Sequence, residues 1–390
     1  MTSNLKNIQI APFFSVAFRP FFLSGALFSI IAVLTWVGAL NNSFEFNPYG
    51  GSYWWHAHEM LFAFVGAIVV GFLLTAVQNW TGQTSLKGKP LMVFWLLWLV
   101  ARLTLAIDLG IDRWLVALID LAFLPIAGVV LARLIIRAKR WKNLIFIPVI
   151  TLMTIANGLM HWGALNADPG LVNQGSYAMV MLVMMLITVL GGRVFPMFTA
   201  NGTGTRKVES IKWLEMATII STAFIAITYI CGLLLPAPIL ALLLIFAAVC
   251  HLIRLLRWRF WVTLKTPLVW SLHVGYFSIP LGYSLMAYHY LTERILLSTV
   301  LHGLTVGAIG VTILAMITRV SLGHTGRKLV VNKLLSLAFI AIILSFTIRV
   351  FYPFFSDNYI LNIGIASVLW ALAYGVYVID FLPKLITKRL

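Results

Sequence analysis

Histidines are the residues of this chain whose type and spacing point most directly to chemistry. The sequence has eight of them. His56 and His58 stand two residues apart at the start of a long apolar run, and His302 lies inside a later one. Neutral imidazole suits haem iron, copper and zinc, whereas magnesium and calcium prefer oxygen ligands. Because no thiolate accompanies these histidines, we expect them to bind haem iron or copper.

Four further polar residues could take part in such a site. Arg102 and Arg349 could pair with haem propionates, since the guanidinium fork matches a carboxylate; they could equally bind lipid phosphates. Glu59 and Asp120 are the acids that we expect to lie nearest these histidines in the membrane, where they could relay protons. Glu59 could instead only pair with the N-terminus of its own helix.

The composition shows which elements must position these residues. Apolar residues make up 61% of the 390 residues, charged residues 10%, and the mean hydropathy is +0.99. That excludes a soluble enzyme, a secreted disulfide scaffold and a disordered chain. The sequence predicts an all-α, polytopic transmembrane bundle in a single domain over residues 1–390, without a soluble domain. Twelve runs are long enough to cross a bilayer: 22–40, 59–77, 91–107, 115–136, 144–165, 176–192, 214–234, 238–256, 269–290, 296–317, 334–352 and 360–382.

The distribution of basic residues predicts the orientation of these runs. The net charge of +17 would suggest nucleic-acid binding in a soluble chain. Here 24 of the 28 Lys and Arg residues fall in breaks on one side of the predicted membrane or at the termini. The positive-inside rule then predicts that both termini are cytoplasmic. We expect no nucleic-acid partner.

This orientation gathers five histidines in the outer third of the bilayer. They are His56, His58, His161, His289 and His302. In a helix, the first two rings would point about 200° apart; in an extended segment they would share a face. Histidine beside tryptophan and tyrosine at the interface can also be a simple anchor, and His289 fits that alternative best.

Two of the runs share a pattern of residues. His58, Gly66 and Thr81-Gly82 recur with identical spacing as His302, Gly310 and Thr325-Gly326. The segment 201–204 resembles a third, decayed copy without the histidine. The pattern predicts a four-helix unit repeated three times, with chance matching among abundant Gly and Thr as the alternative.

Several stretches of the chain resemble the NnrS family of membrane proteins. The resemblance covers essentially the whole sequence and is most distinctive in the His-Ala-His-Glu-Met and Gly-His-Thr-Gly-Arg segments. The matching stretches are 18–23, 55–62, 71–77, 79–82, 191–196, 301–310 and 322–327.

The resemblance implies a haem- and copper-containing protein of the bacterial inner membrane, linked to nitric oxide stress and denitrification. Our leading hypothesis is that it holds haem b and copper, binds nitric oxide and reduces it to nitrous oxide. A quinol or another membrane donor would supply the electrons. We expect haem on His58 and His302, and copper on His56 and His161. The alternatives are a non-catalytic nitric oxide-binding protein and a membrane transporter.

Overall fold

The computed structural model describes residues 12–388, and this part of the chain contains helices and no strand. The predicted all-α class is confirmed. Twelve long helices follow one another in the chain: α1 (Phe18–Leu40), α2 (Ser52–Thr81), α3 (Lys89–Ala106), α4 (Arg113–Arg137), α5 (Phe146–Leu165), α6 (Pro169–Thr203), α7 (Lys212–Ile230), α8 (Ala237–Arg257), α9 (Pro267–Thr292), α10 (Leu297–His324), α11 (Lys333–Phe351) and α12 (Tyr359–Ile386).

Eleven of these helices are long and apolar enough to cross a membrane, judged by length and composition; α9 is the exception. It contains serine, tyrosine and histidine residues and an internal proline, Pro280. At about 1.5 Å per residue it is still long enough to cross about 30 Å of hydrocarbon. It packs against α8 and α10 within the bundle. We call the face that carries the loops after α1, α3 and α5 the outer face, following the predicted orientation.

Helix α6 extends well beyond its apolar run, which predicts only 176–192. It begins at Pro169, because the Asp168 side chain accepts hydrogen bonds from two backbone N–H groups of the first turn. It ends at Thr203, where Gly204 adopts a left-handed conformation that favours glycine. Hydropathy detects the apolar part of a helix, whereas caps decide where the helix begins and ends.

Three helices form the centre of the bundle. In the most apolar window of α2, α6 and α10, 78% of the residues are buried, against 39–50% in the other membrane candidates. Each central helix is also followed by a glycine with positive φ: Gly82, Gly204 and Gly326, spaced 122 residues apart. These shared features favour the four-helix repeat, which stays a prediction.

Both helices that carry the shared sequence pattern contain a π-helical segment. In α2 it covers Glu59–Val65, directly after His58, and in α10 it covers Gly303–Gly310, directly after His302. Such segments are rare and are frequently found at functional sites. Because a π-helical turn is wider than an α-helical one, the residues just beyond each histidine are rotated about the helix axis relative to their positions in a regular α-helix.

Candidate metal centre and the buried ionic cluster

His56 and His58 point into different environments, because residues 52–58 form an ordinary α-helix. The His56 ring stacks on Trp36 of α1, with ring centroids 4.7 Å apart. The His58 ring stacks on Trp54, with centroids 4.3 Å apart, and contacts side chains of α4 and α5. Two separate sites result, one on each side of α2.

The first site, which we call the ionic cluster, joins side chains of α2, α3, α4 and α5. All of its members are at most 4% exposed. The His58 Nδ1 lies 2.8 Å from Glu59 Oε1, and its Nε2 lies 3.1 Å from Asp120 Oδ2. The cluster consists of His58, Glu59, Arg102, Asp120, Asn157 and His161.

Charges within the ionic cluster balance. The Arg102 guanidinium donates to Glu59 Oε1 over 2.7 Å and also to Asp120. Both ring nitrogens of His58 face acceptor oxygens, including Asn157 Oδ1 at 2.8 Å. This arrangement requires a proton on each nitrogen, so His58 is a cation. Two cations then face two carboxylates, as burial of charge requires.

His161 closes the ionic cluster on its outer side. Its Nε2 lies 3.1 Å from Asp120 Oδ2, and its Nδ1 lies 3.2 Å from the Tyr49 hydroxyl. Tyr49 belongs to the loop after α1, where burial raises its pKa to about 12. Its hydroxyl therefore keeps its proton at neutral pH and donates to His161, while His161 donates to Asp120.

The ionic cluster has ligand atoms for a metal ion. One such atom each from His58, Asp120 and His161 lie within 4.8 Å of one another. Two imidazoles and one carboxylate are a known donor set for transition metals. A metal ion here would have to displace the proton that His58 holds. As it stands, the cluster therefore holds a proton on His58, and a metal ion would need that proton to be removed.

The second site, which we call the outer cavity, lies between α1, α2, α6, α10, α11 and α12 and has a volume of about 170 Å³. The His302 Nδ1 donates to the Ser298 carbonyl over 2.5 Å, which leaves Nε2 without a proton. Histidines that bind metals usually have their second nitrogen fixed in this way. The buried Nδ1 of His56, which lines the same cavity, has no hydrogen-bond partner among residues 12–388. Met60, one helical turn after His56, adds a thioether to the lining.

Arg349 places a positive charge at the edge of the outer cavity. It is 5% exposed and donates to the Tyr359 hydroxyl over 2.9 Å and to Asn362 Oδ1 over 3.4 Å. Within residues 12–388, no carboxylate lies in salt-bridge distance of its guanidinium. A buried charge without a counter-ion is unfavourable. The site therefore suits an anionic group, such as a haem propionate or a lipid phosphate.

The donors of the outer cavity fit both groups that the sequence led us to expect. Imidazole and thioether suit copper, and His302 with Arg349 suits a haem with its propionates. The two groups need different amounts of space. A cavity of about 170 Å³ admits a metal ion and diatomic molecules, but it lies below the roughly 300–1,000 Å³ of ordinary ligand pockets. The volume is enough for a copper ion, whereas a porphyrin fits only if lining side chains move.

The structure groups the expected ligands differently from the pairs predicted by the sequence. His56 shares the outer cavity with His302, and His58 shares the ionic cluster with His161. We expected haem on His58 with His302 and copper on His56 with His161. Each of these pairs would join residues that lie on opposite sides of α2. Alternate positions of a helix face opposite ways, so these pairs are not brought together.

The remaining expected site residues divide between the two sites. Arg102, Glu59 and Asp120 belong to the ionic cluster, and Arg349 belongs to the outer cavity. The sequence interpretation missed Asn157 and Met60. Asn157 is signalled by its polarity within an apolar run. Met60 is signalled by its position four residues after His56, on the same helical face.

Comparison with known proteins agrees with the resemblance seen in the sequence. The model of the NnrS protein family matches residues 12–389. The chain belongs to the NnrS family. A comparison with curated proteins gave no match. NnrS proteins are known for haem and metal binding and for a role in the response to nitric oxide. Membership and eleven apolar helices together indicate a multi-pass membrane protein of the nitric oxide response.

Proposed function

We propose that this protein binds nitric oxide at a redox metal in the outer cavity and reduces it to nitrous oxide. The observation that carries the proposal is His302, whose Nδ1 is held by the Ser298 carbonyl and whose Nε2 is free to bind a metal. Two NO, two protons and two electrons give one N₂O and one water. The electrons come from a quinol or another membrane electron donor.

Haem b and copper are the proposed resident groups; when bound, they would supply a binding position for nitric oxide and electrons for its reduction. His302 would hold the haem iron, and Arg349 would pair with a propionate. His56 and Met60 are the proposed copper ligands on the opposite wall. Aromatic side chains line much of this cavity; they include Trp36, Tyr53, Phe64, Tyr177, Tyr359 and Trp370.

The ionic cluster is the proposed source of protons. His58 and Arg102 carry the protons of the cluster beside Glu59 and Asp120, and within residues 12–388 the buried Glu59 Oε2 has no hydrogen-bond partner. A carboxylate oxygen with a free lone pair can accept a further proton. Glu59 lies next to His58 and three residues after His56, so the proton store is adjacent in the chain to the cavity wall.

Nitric oxide binding without reduction is the second candidate, and one observation favours it. The four imidazoles expected as ligands are divided between two sites, so among them only His56 and His302 face the cavity in which two NO would have to combine. A single metal in the cavity would bind NO and protect other proteins without forming an N–N bond.

The deciding experiment uses the full chain purified into lipid nanodiscs. We would measure haem and copper content, the optical spectrum with NO, and N₂O release with duroquinol as the donor. Reduction predicts N₂O with turnover, and simple binding predicts an NO-dependent spectrum without N₂O. A preparation without metal and without NO binding would contradict both, and would favour a transporter.

Variants of two histidines locate the metal. His302→Ala is expected to lose most of the bound metal and the NO-dependent spectrum. His289→Ala is the matched control, because this outer histidine lies near the end of α9, where its Nδ1 donates to the Ile295 carbonyl. Equal metal content in the two variants would show that the outer cavity is not the metal site.

A further inference from the structure

A second cavity lies in the middle of the bundle, further from the outer face than the outer cavity. We call it the inner cavity; its volume is about 90 Å³. It lies between α1 and the three central helices and is partly open, and apart from Thr312 its lining side chains are apolar. The lining includes Phe22, Val65, Ile68, Val183, Leu186 and Ile313.

The lining decides what the inner cavity can hold. A water molecule needs two to four polar partners to stay in a buried site, and an apolar cavity stays dry and takes up xenon or benzene instead. Thr312 brings a single hydroxyl, and that hydroxyl lies against α9, where a Cβ added at Gly275 would approach it to 2.3 Å. A charged or strongly hydrogen-bonding ligand would lose its hydration here without compensation. The inner cavity therefore suits small apolar molecules.

The position of the inner cavity relates it to the proposed site. Val65 lines both the inner and the outer cavity, and it is the last residue of the π-helical segment of α2. Nitric oxide is a small molecule of low polarity, and it dissolves in the hydrocarbon of a bilayer. A gas molecule that enters the bundle at mid-membrane depth thus meets the apolar inner cavity, which ends at the wall of the outer cavity.

We propose that the inner cavity is a binding site for small apolar gases and that it holds nitric oxide on its way to the outer cavity. The first part stands by itself, and the second part rests on the proposed function. With about 90 Å³, against a share of about 30 Å³ for one water in the liquid, it has room for a few diatomic molecules. Val65 separates the inner cavity from the proposed metal site in the outer cavity.

Xenon is the probe for the first part, because it fills apolar cavities and needs no metal. We would record ¹²⁹Xe NMR exchange with the full chain in nanodiscs. The native chain is expected to give a saturable bound signal beyond that of empty nanodiscs. Leu186→Trp, which fills the inner cavity, is expected to remove it. Leu242→Trp is the control, since Leu242 is 68% exposed on the outside of α8.

A smaller substitution provides a second test in case Leu186→Trp fails to fold. Val183→Phe adds less volume to the same wall and is expected to weaken xenon binding by about tenfold. Both variants are compared with the native chain in helix content and thermal unfolding. A native chain without a saturable signal, or variants that fold and bind xenon like the native chain, would overturn the gas site.

The second part is tested by the rate of NO association after flash photolysis. Val65→Phe places a bulkier side chain between the two cavities. It is expected to slow NO association about tenfold, with metal content unchanged. An unchanged rate in a chain that binds xenon would overturn the nitric oxide route and leave the proposed function intact. A native chain that binds xenon but no NO would instead contradict the proposed function and leave the gas site intact.

Discussion

Arg102 is the residue whose removal tests the ionic cluster most directly. Its guanidinium bonds to both carboxylates of the cluster, and these are buried at 0% (Glu59) and 3% (Asp120) exposure. Arg102→Met keeps much of the packing volume and removes the charge. His58 is then the single cation beside two carboxylates. Breaking a buried ion pair in this way typically destabilises a protein by about 3–5 kcal/mol.

A second substitution should reverse part of this loss. Arg102→Met with Asp120→Asn leaves one cation, His58, and one carboxylate, Glu59, so the cluster is neutral again. We expect the double variant to recover about 1–3 kcal/mol relative to Arg102→Met alone, which is the usual range of coupling between contacting residues. Additive losses would show that charge balance does not stabilise the cluster.

The assay is equilibrium unfolding in mixed micelles, followed by tryptophan fluorescence. Arg294→Met is the matched control, because Arg294 is exposed in the loop before α10 and has no salt bridge within the described residues. It should change the free energy of unfolding by no more than about 0.5 kcal/mol. A loss below about 1 kcal/mol for Arg102→Met would refute the reasoning.

Three further predictions concern packing, topology and metal. Gly192→Ala should lower the free energy of unfolding by about 1–3 kcal/mol, because the new Cβ would lie 1.8 Å from the Arg254 guanidinium; Gly158→Ala, with open space around its Cβ, should not destabilise. Cys231 is exposed just beyond α7, on the outer face, so a membrane-impermeant maleimide should label it in intact cells, and labelling only after lysis would reverse the orientation. Removing copper with a Cu(I) chelator should lower the thermal midpoint in proportion to the metal lost, since a ligand of the native state stabilises it; an unchanged midpoint would argue against a resident copper.

The number and order of the helices could be predicted from the sequence, because each membrane crossing needs its own run of about 20 apolar residues. The residues at which each helix begins and ends are less predictable. The apolar run 176–192 understates α6, since Asp168 and Gly204 fix its two ends through hydrogen bonds and backbone conformation. The π-helical segments of α2 and α10 leave no signal in hydropathy at all.

The chemical identity of the site residues is a property of the sequence. Histidine, arginine and carboxylate within apolar runs are costly in a membrane, so each one signals a partner or a ligand wherever it occurs. That argument selects His56, His58, His161 and His302 without any structure. It also selects Asp120, although it cannot say which histidines Asp120 contacts.

Only the tertiary structure decided how these residues are combined. Two histidines separated by one residue face opposite sides of α2, and which neighbour each one meets depends on how the helices pack around the central three. That packing sets His56 opposite His302 and His58 against His161. Sequence determines which groups need a partner, because that need follows from the cost of burying them; it does not determine the partner, because helix rotation and packing depend on contacts between distant parts of the chain.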